Sequence, residues 1–134
     1  MIANFPYIIS QLAQPFNLLL MIVGTAIGII FGAIPGLSGT LAVMLFMPLT
    51  YSMNSGTAVI FLLALWIGGC SGAFIGSVLL GIPGSASAVS TCWDGYPMSQ
   101  QGKSGKALAI GMFASFTGTF FSAIIAAFCS EFVA

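Results

Sequence analysis

The residues best placed to hold a ligand are the hydroxyl-bearing ones that follow two Pro-Gly pairs. Ser38 and Thr40 come after Pro35-Gly36, and Ser85 and Ser87 after Pro83-Gly84, with Ser90 a little further on. Each pair interrupts an apolar, glycine-spaced run. Proline lacks the N–H that would continue a helix and pushes the preceding residue, Ile34 or Ile82, out of helical geometry, while glycine tolerates positive φ. Where the chain resumes as a helix, its first N–H groups have no intrahelical partner and carry partial positive charge, which suits a carboxylate. The carbonyls that close the preceding helix suit a cation. Side-chain hydroxyls add donors and acceptors to either. A site of this kind needs no arginine, and the chain contains none. The competing reading is that each Pro-Gly only ends a helix in a loop.

Other candidates for chemistry are few. Lys103, Lys106, Asp94 and Glu131 are the only formally charged side chains, and the net charge is zero, so nothing points to nucleic acid or to an acidic surface partner. Asp94 sits in Trp93-Asp94-Gly95-Tyr96-Pro97, which reads as a turn with a solvated aspartate, although a proton or cation ligand is the alternative. Glu131 is expected at the membrane surface. Gly69-Cys70-Ser71-Gly72 superficially resembles a nucleophile in an intramembrane protease, but no histidine exists to activate Ser71 and no lysine stands within a span, so the chain is not expected to be an enzyme. Cys70, Cys92 and Cys129 are too far apart for a CxxC pair or zinc spacing and read as small apolar fillers, with no metal site and no cofactor.

The two Pro-Gly pairs belong to a repeat. Residues 24–36 laid over 72–84, a constant offset of 48, match at Gly24 with Gly72, Ile27 with Ile75, Gly28 with Gly76, and Ile34-Pro35-Gly36 with Ile82-Pro83-Gly84. Two such breaks at corresponding positions of a repeat are a sequence pointer to a transporter binding site, because unpaired backbone is tolerated at membrane depth only where protein or a watery cavity surrounds it. Whether the copies run parallel or inverted depends on how many times the chain crosses between them.

Composition places these elements in a bilayer. Hydrophobic residues make up 59% and charged residues 3% of the 134, with a mean hydropathy of +1.14. A soluble domain carries roughly 25% charged residues, so an all-α integral membrane protein of three to four transmembrane helices is expected, with two helix breaks at Pro-Gly. Residues 1–15 read as an interfacial lead-in, with no cleavable signal peptide evident. Residues 16–82 hold the first and second broken-helix units. Within them, Ser38 is a candidate N-cap, and 37–53 is a half-helix or a tilted, kinked span. Residues 83–106 read as a polar loop, and 107–130 as the last span, after which the chain has no polar tail and looks truncated. Gly24, Gly28 and Gly32, with Gly72 and Gly76, form stripes at which helices approach closely. The only two lysines flank 103–106, and the positive-inside tendency puts that loop in the cytoplasm.

With these residues laid out, the chain resembles the N-terminal part of the large membrane subunit (TctA family) of the tripartite tricarboxylate transporters. The resemblance runs from about Gly24 through the last span. It rests on Gly28-x-x-x-Gly32-x-x-Pro35-Gly36-Leu37, Pro48-Leu49-Thr50, Ser77-x-x-x-Gly81-Ile82-Pro83-Gly84, and Asp94-Gly95-Tyr96-Pro97-Met98 followed by Gln101-Gly102-Lys103 and Ala107-Leu108. It implies part of a larger, repeat-built secondary transporter in the bacterial inner membrane, driven by Na+ or H+, that takes up citrate-like or other carboxylates. It further implies a small membrane subunit and a periplasmic solute-binding protein as partners beside membrane lipid. The elements nearest the ligand would be Pro35, Gly36, Ser38 and Thr40 with Pro83, Gly84, Ser85 and Ser87. A non-transporting membrane scaffold, whose glycine stripes only pack against partner helices, is the rival reading.

Overall fold

The computed structural model describes residues 12–133, without the side chains at 128 and 130–133. Among the described residues from Pro15 onward five helices follow one another: α1 (Pro15–Ala33), α2 (Gly39–Thr50), α3 (Ser55–Leu80), α4 (Val89–Gln100) and α5 (Ser104–Val133), with a 3-10 turn at Ala86–Ala88 running into α4. No strand occurs among the described residues. Among the described residues three stretches, Pro15–Ala33, Ser55–Leu80 and Ser104–Ala127, are long and apolar enough to cross a membrane. The protein is an all-α, multi-pass membrane protein, as its composition requires. Most of the expected lead-in, 1–15, lies outside the described residues, as does the side chain of Glu131.

Helix ends follow local chemistry. Pro15 opens α1 at a position where a missing N–H costs nothing. Ile34 closes it in extended geometry, φ −83 and ψ 121, as a residue before proline prefers. Ile34 to Leu37 then form a turn in which the Leu37 N–H donates to the Ile34 carbonyl at 3.1 Å and Gly36 stands at φ +90. With proline second and a positive-φ glycine third, this is a type II turn. Ser38 caps α2, its Oγ accepting from the Leu41 N–H at 3.2 Å.

The packing of α1 on α3 is backbone on backbone. A Cβ added at Gly28 would meet the Leu65 carbonyl, one at Gly32 that of Gly69, one at Gly68 that of Thr25 and one at Gly72 that of Ile29; Gly24 faces Ala64 and Phe61, and Gly76 faces Ala33. Lipid tails are as apolar as leucine, so helices associate in a bilayer through such close contact rather than hydrophobic exclusion. The register also fixes direction. Partners on α3 advance as positions on α1 advance, so the two helices run parallel.

A parallel pair requires the chain to return between them, and α2 with its flanks makes that return. Gly39 lies on Gly69, whereas Phe46, further along α2, meets Phe61 edge-on at 6.1 Å, so α2 descends antiparallel to α3. Ala42, Phe61 and Leu65 are buried here, with Leu20, Ile27, Phe31, Val43 and Phe46 packed around them. At ~1.5 Å per residue the 12 residues of α2 cover ~18 Å, and the turns Ile34–Leu37 and Thr50–Met53 join it to α1 and α3.

The segment expected as a polar loop, 83–106, contains a helix instead. Trp93-Asp94-Gly95-Tyr96-Pro97 is not a turn but the middle of α4. Tertiary contacts override the turn-forming residues: Gly95 is buried against Val78, the Tyr96 ring lies over Gly81, and the Tyr96 hydroxyl accepts from Gln100 Nε2 at 2.8 Å. The route into α4 is re-entrant. After α3 ends at Gly81 (φ +69), Gly84 sits back against the Gly32 carbonyl and Ala73, and α4 then climbs to the level of Val78 and Gly81. Finally, α5 packs its Gly111 on the Phe74 ring and runs antiparallel to α3, bordering with Ser115 and Thr119 a groove that Trp66 and Ile67 also line.

Candidate functional site

Ser38 and Ser85 hold matching backbone geometry, φ −133 and ψ 160 against φ −149 and ψ 161, each directly before a helical start. Extended geometry at such a position lets a short side-chain oxygen turn toward the following N–H groups. At Ser38 the oxygen does so. At Ser85 it meets its neighbour instead, the Ser85 and Ser87 hydroxyl oxygens standing 3.0 Å apart.

The two starts come together. Ser38, Gly39 and Thr40 from the first break and Ser85 and Ser87 from the second line one crevice of ≈ 80 Å³, whose remaining wall is Trp66, Gly69 and Cys70 of α3. Gly69 and Cys70 fall near the middle of the 26-residue α3, so the crevice lies at mid-height of the longest span. There α2 starts and runs toward one membrane face, while the turn leading into α4 starts and runs toward the other. Both present N-terminal N–H groups and hydroxyls at the same depth. Gly39 and Thr40 are the first two residues of α2, positions whose N–H groups have no carbonyl within the helix to reach. The concentration of partial positive charge, with no acidic residue among the lining residues, suits an anion.

Four of the eight residues singled out from sequence, Ser38, Thr40, Ser85 and Ser87, thus line one cavity. The other four do not. Pro35 and Gly36 are exposed in the type II turn, Pro83 is exposed, and Gly84 fits between Gly32 and Ala73. The repeat is also less regular than its sequence. Gly36 turns the chain through positive φ, whereas in the second copy Gly81 has that role and Gly84 serves close approach. Trp66, Gly69 and Cys70 were not read from sequence as site residues. They lie in an unbroken span, and the one local signal was the Gly68-Gly69 pair, of which Gly69 admits the Cα of Gly39.

Ser90 lies outside this crevice and lines a second pocket of ≈ 320 Å³ between α3, α4 and α5, together with Thr91 and Asp94. Ser71, adjacent to Cys70, donates to the Ile67 carbonyl of its own helix at 3.0 Å. Among the described residues no three of His, Cys, Asp or Glu come together.

Residues 18–134 match the model of a family described as the tripartite tricarboxylate transporter TctA family. A curated protein from Agrobacterium vitis, described as an uncharacterized 52.8 kDa protein in the TAR-I ttuC' 3' region, is 29% identical over 116 residues. That alignment takes in 87% of this chain and 23% of the relative, so the chain spans about a quarter of the relative's length. No solved structure matches the chain.

Proposed function

The chain belongs to the tripartite tricarboxylate transporter TctA family, and from that premise we propose that it forms the first broken-helix units of the membrane subunit of a cation-coupled secondary transporter for tricarboxylates or related carboxylates. The subunit sits in the bacterial inner membrane, works with a small membrane subunit, and receives its substrate from a periplasmic solute-binding protein. One observation carries the ligand assignment. Hydroxyl-bearing helix starts from both Pro-Gly units, pointing toward opposite membrane faces, share a crevice at mid-height of α3. Discontinuous helices meeting at the midplane are the arrangement by which secondary transporters hold anionic groups without burying a charged side chain. In this reading the Gly39 and Thr40 N–H groups and the Ser38, Thr40, Ser85 and Ser87 hydroxyls receive one carboxylate. The crevice is open, and the rest of the substrate is held by parts of the transporter beyond this chain.

Cys70 supplies the test, since it lines the crevice and is exposed. In the transporter that carries this chain, with Cys92 and Cys129 replaced by serine, a thiol reagent should modify Cys70 and block uptake of radiolabelled carboxylate, and saturating substrate should slow the modification. Modification at the same rate with and without substrate would count against the site. The double change Ser85→Ala with Ser87→Ala should raise the half-saturating substrate concentration about tenfold, the scale of hydrogen bonds to a charged group.

A further inference from the structure

We propose that the groove of ≈ 610 Å³ between α3 and α5 seats a further transmembrane helix of the same polypeptide, from the part of the transporter beyond this chain, and that this helix closes the open side of the anion crevice. The inference rests on the transport reading above and adds to it the place where the rest of the subunit docks. Phe74 holds α5 off α3 by setting its ring against Gly111. Further along the pair, Ser115, Phe116 and Thr119 of α5 and Trp66, Ile67 and Ser71 of α3 line the gap that results. Among the described residues no side chain fills it, and from 112 to 127 every residue of α5 is exposed.

The groove opens into the crevice, since Trp66 and Cys70 line both. That continuity chooses the occupant. Apolar walls alone do not, because lipid tails suit them as well as protein does. At the crevice, however, α2 begins at mid-height of α3 with the N–H groups of Gly39 and Thr40, which have no carbonyl within the helix to reach. Backbone of this kind is tolerated at membrane depth only inside protein or against water. Lipid in the groove would border those groups, so lipid is the wrong filling. Water is equally wrong for a wall of Trp66, Ile67, Phe74, Met112 and Phe116. Two of the hydroxyls there also have partners of their own, Ser71 donating to the Ile67 carbonyl at 3.0 Å and Thr119 to the Ser115 carbonyl at 2.7 Å. The occupant is therefore protein with an apolar face. The relative from Agrobacterium vitis shows how much chain is at hand to supply it, the aligned region being 23% of its length.

Seated there, the helix lies along α3 from Trp66 to Phe74 and borders the crevice at Trp66 and Cys70. Its side chains at that depth shield the carboxylate from the bilayer and strengthen the hydrogen bonds that hold it, because such bonds gain as water and the surrounding polarity are excluded. A change in the groove therefore reaches substrate affinity through the seating of this helix, without touching the substrate.

The experiment uses the full transporter with its partners, in membranes. Photoreactive benzoylphenylalanine in place of Phe116 or Met112, both in the groove, should on irradiation join α5 to a peptide of the same polypeptide from outside the matched region. Mass spectrometry identifies the peptide, and the product should migrate as a single subunit under denaturing conditions. The same probe in place of Phe121, which is exposed but not in the groove, should not capture that peptide. Capture of the small membrane subunit, capture of a second copy in a product of doubled mass, or labelling of lipid alone would each overturn the proposal. Ser115→Leu, which puts a larger side chain into the groove, should weaken capture from position 116 and raise the half-saturating concentration of radiolabelled carboxylate about fivefold or more. No change in either quantity would count against the proposal too. Should Ser115→Leu fail to insert, capture from positions 112 and 116 decides. A wild-type transporter that takes up no carboxylate would overturn the transport reading instead, and the captured peptide would still decide whether a helix of the same polypeptide fills the groove.

Discussion

A side chain at Gly36 would have open space around it, with no atom within 4 Å of an added Cβ, but the backbone there stands at φ +90. At Gly84 the reverse holds: the backbone is not in the positive-φ region, and an added Cβ would meet the Gly32 carbonyl and the Ala73 Cα. The two glycines therefore respond differently to one pair of substitutions. At Gly36 the cost of Ala is conformational, roughly 1–2 kcal/mol, and Asn, which tolerates left-handed geometry, should cost less. At Gly84 the cost is steric, roughly 1–3 kcal/mol for Ala by overpacking, and larger for Asn, which adds more atoms to the same space. Thermal unfolding of the four variants in detergent checks the crossed order. Equal rankings at both positions would show that the two turns are alike after all.

At the scale of elements, α1 and α3 interlock through Gly28, Gly32, Gly68 and Gly72, each facing a carbonyl of the other helix. A methyl group at any of them separates the helices. Gly28→Ala and Gly72→Ala should each lower stability by roughly 1–3 kcal/mol, while Gly105→Ala, with no atom within 4 Å of the added Cβ, should be neutral or slightly stabilising through helix propensity. Melting temperatures of the purified variants distinguish these outcomes. The stripes that produce this packing were readable because spacings of three and four residues are local, as were the breaks at Pro35 and Pro83 and the Ser38 cap. The helix α4 was not. Its Trp93-Asp94-Gly95-Tyr96-Pro97 run carries strong turn chemistry, and what holds it helical is the surface of Val78 and Gly81, residues contributed by another element. The candidate site divides the same way. Its hydroxyls follow visible punctuation, whereas Trp66, Gly69 and Cys70 are named only by the arrival of α2 and the re-entrant turn at their depth.

For the whole molecule, the parallel run of α1 and α3 settles a question that hydropathy left open. The 12 residues of α2 fall below the ~20 residues that normally cross a bilayer. The register of Gly24, Gly28 and Gly32 on α3 nevertheless places the start of α1 level with the start of α3, so residues 34–54 must travel back across the full depth. If they do, Gln14 and Met53 face the same compartment and Gly102 faces the opposite one. Cysteines at these three positions, introduced singly with Cys70, Cys92 and Cys129 replaced by serine, and labelled with a membrane-impermeant thiol reagent in intact cells and in inverted vesicles, measure this directly. The lysines at 103 and 106 bias their side toward the cytoplasm. Labelling at 14 and 53 is therefore expected from the outside of intact cells, and labelling at 102 only in inverted vesicles. Opposite accessibility at 14 and 53 would mean that α2 stops within the membrane. Its N-terminus would then no longer oppose that of the re-entrant turn, and the crevice would lose the convergence on which its reading as an anion site depends.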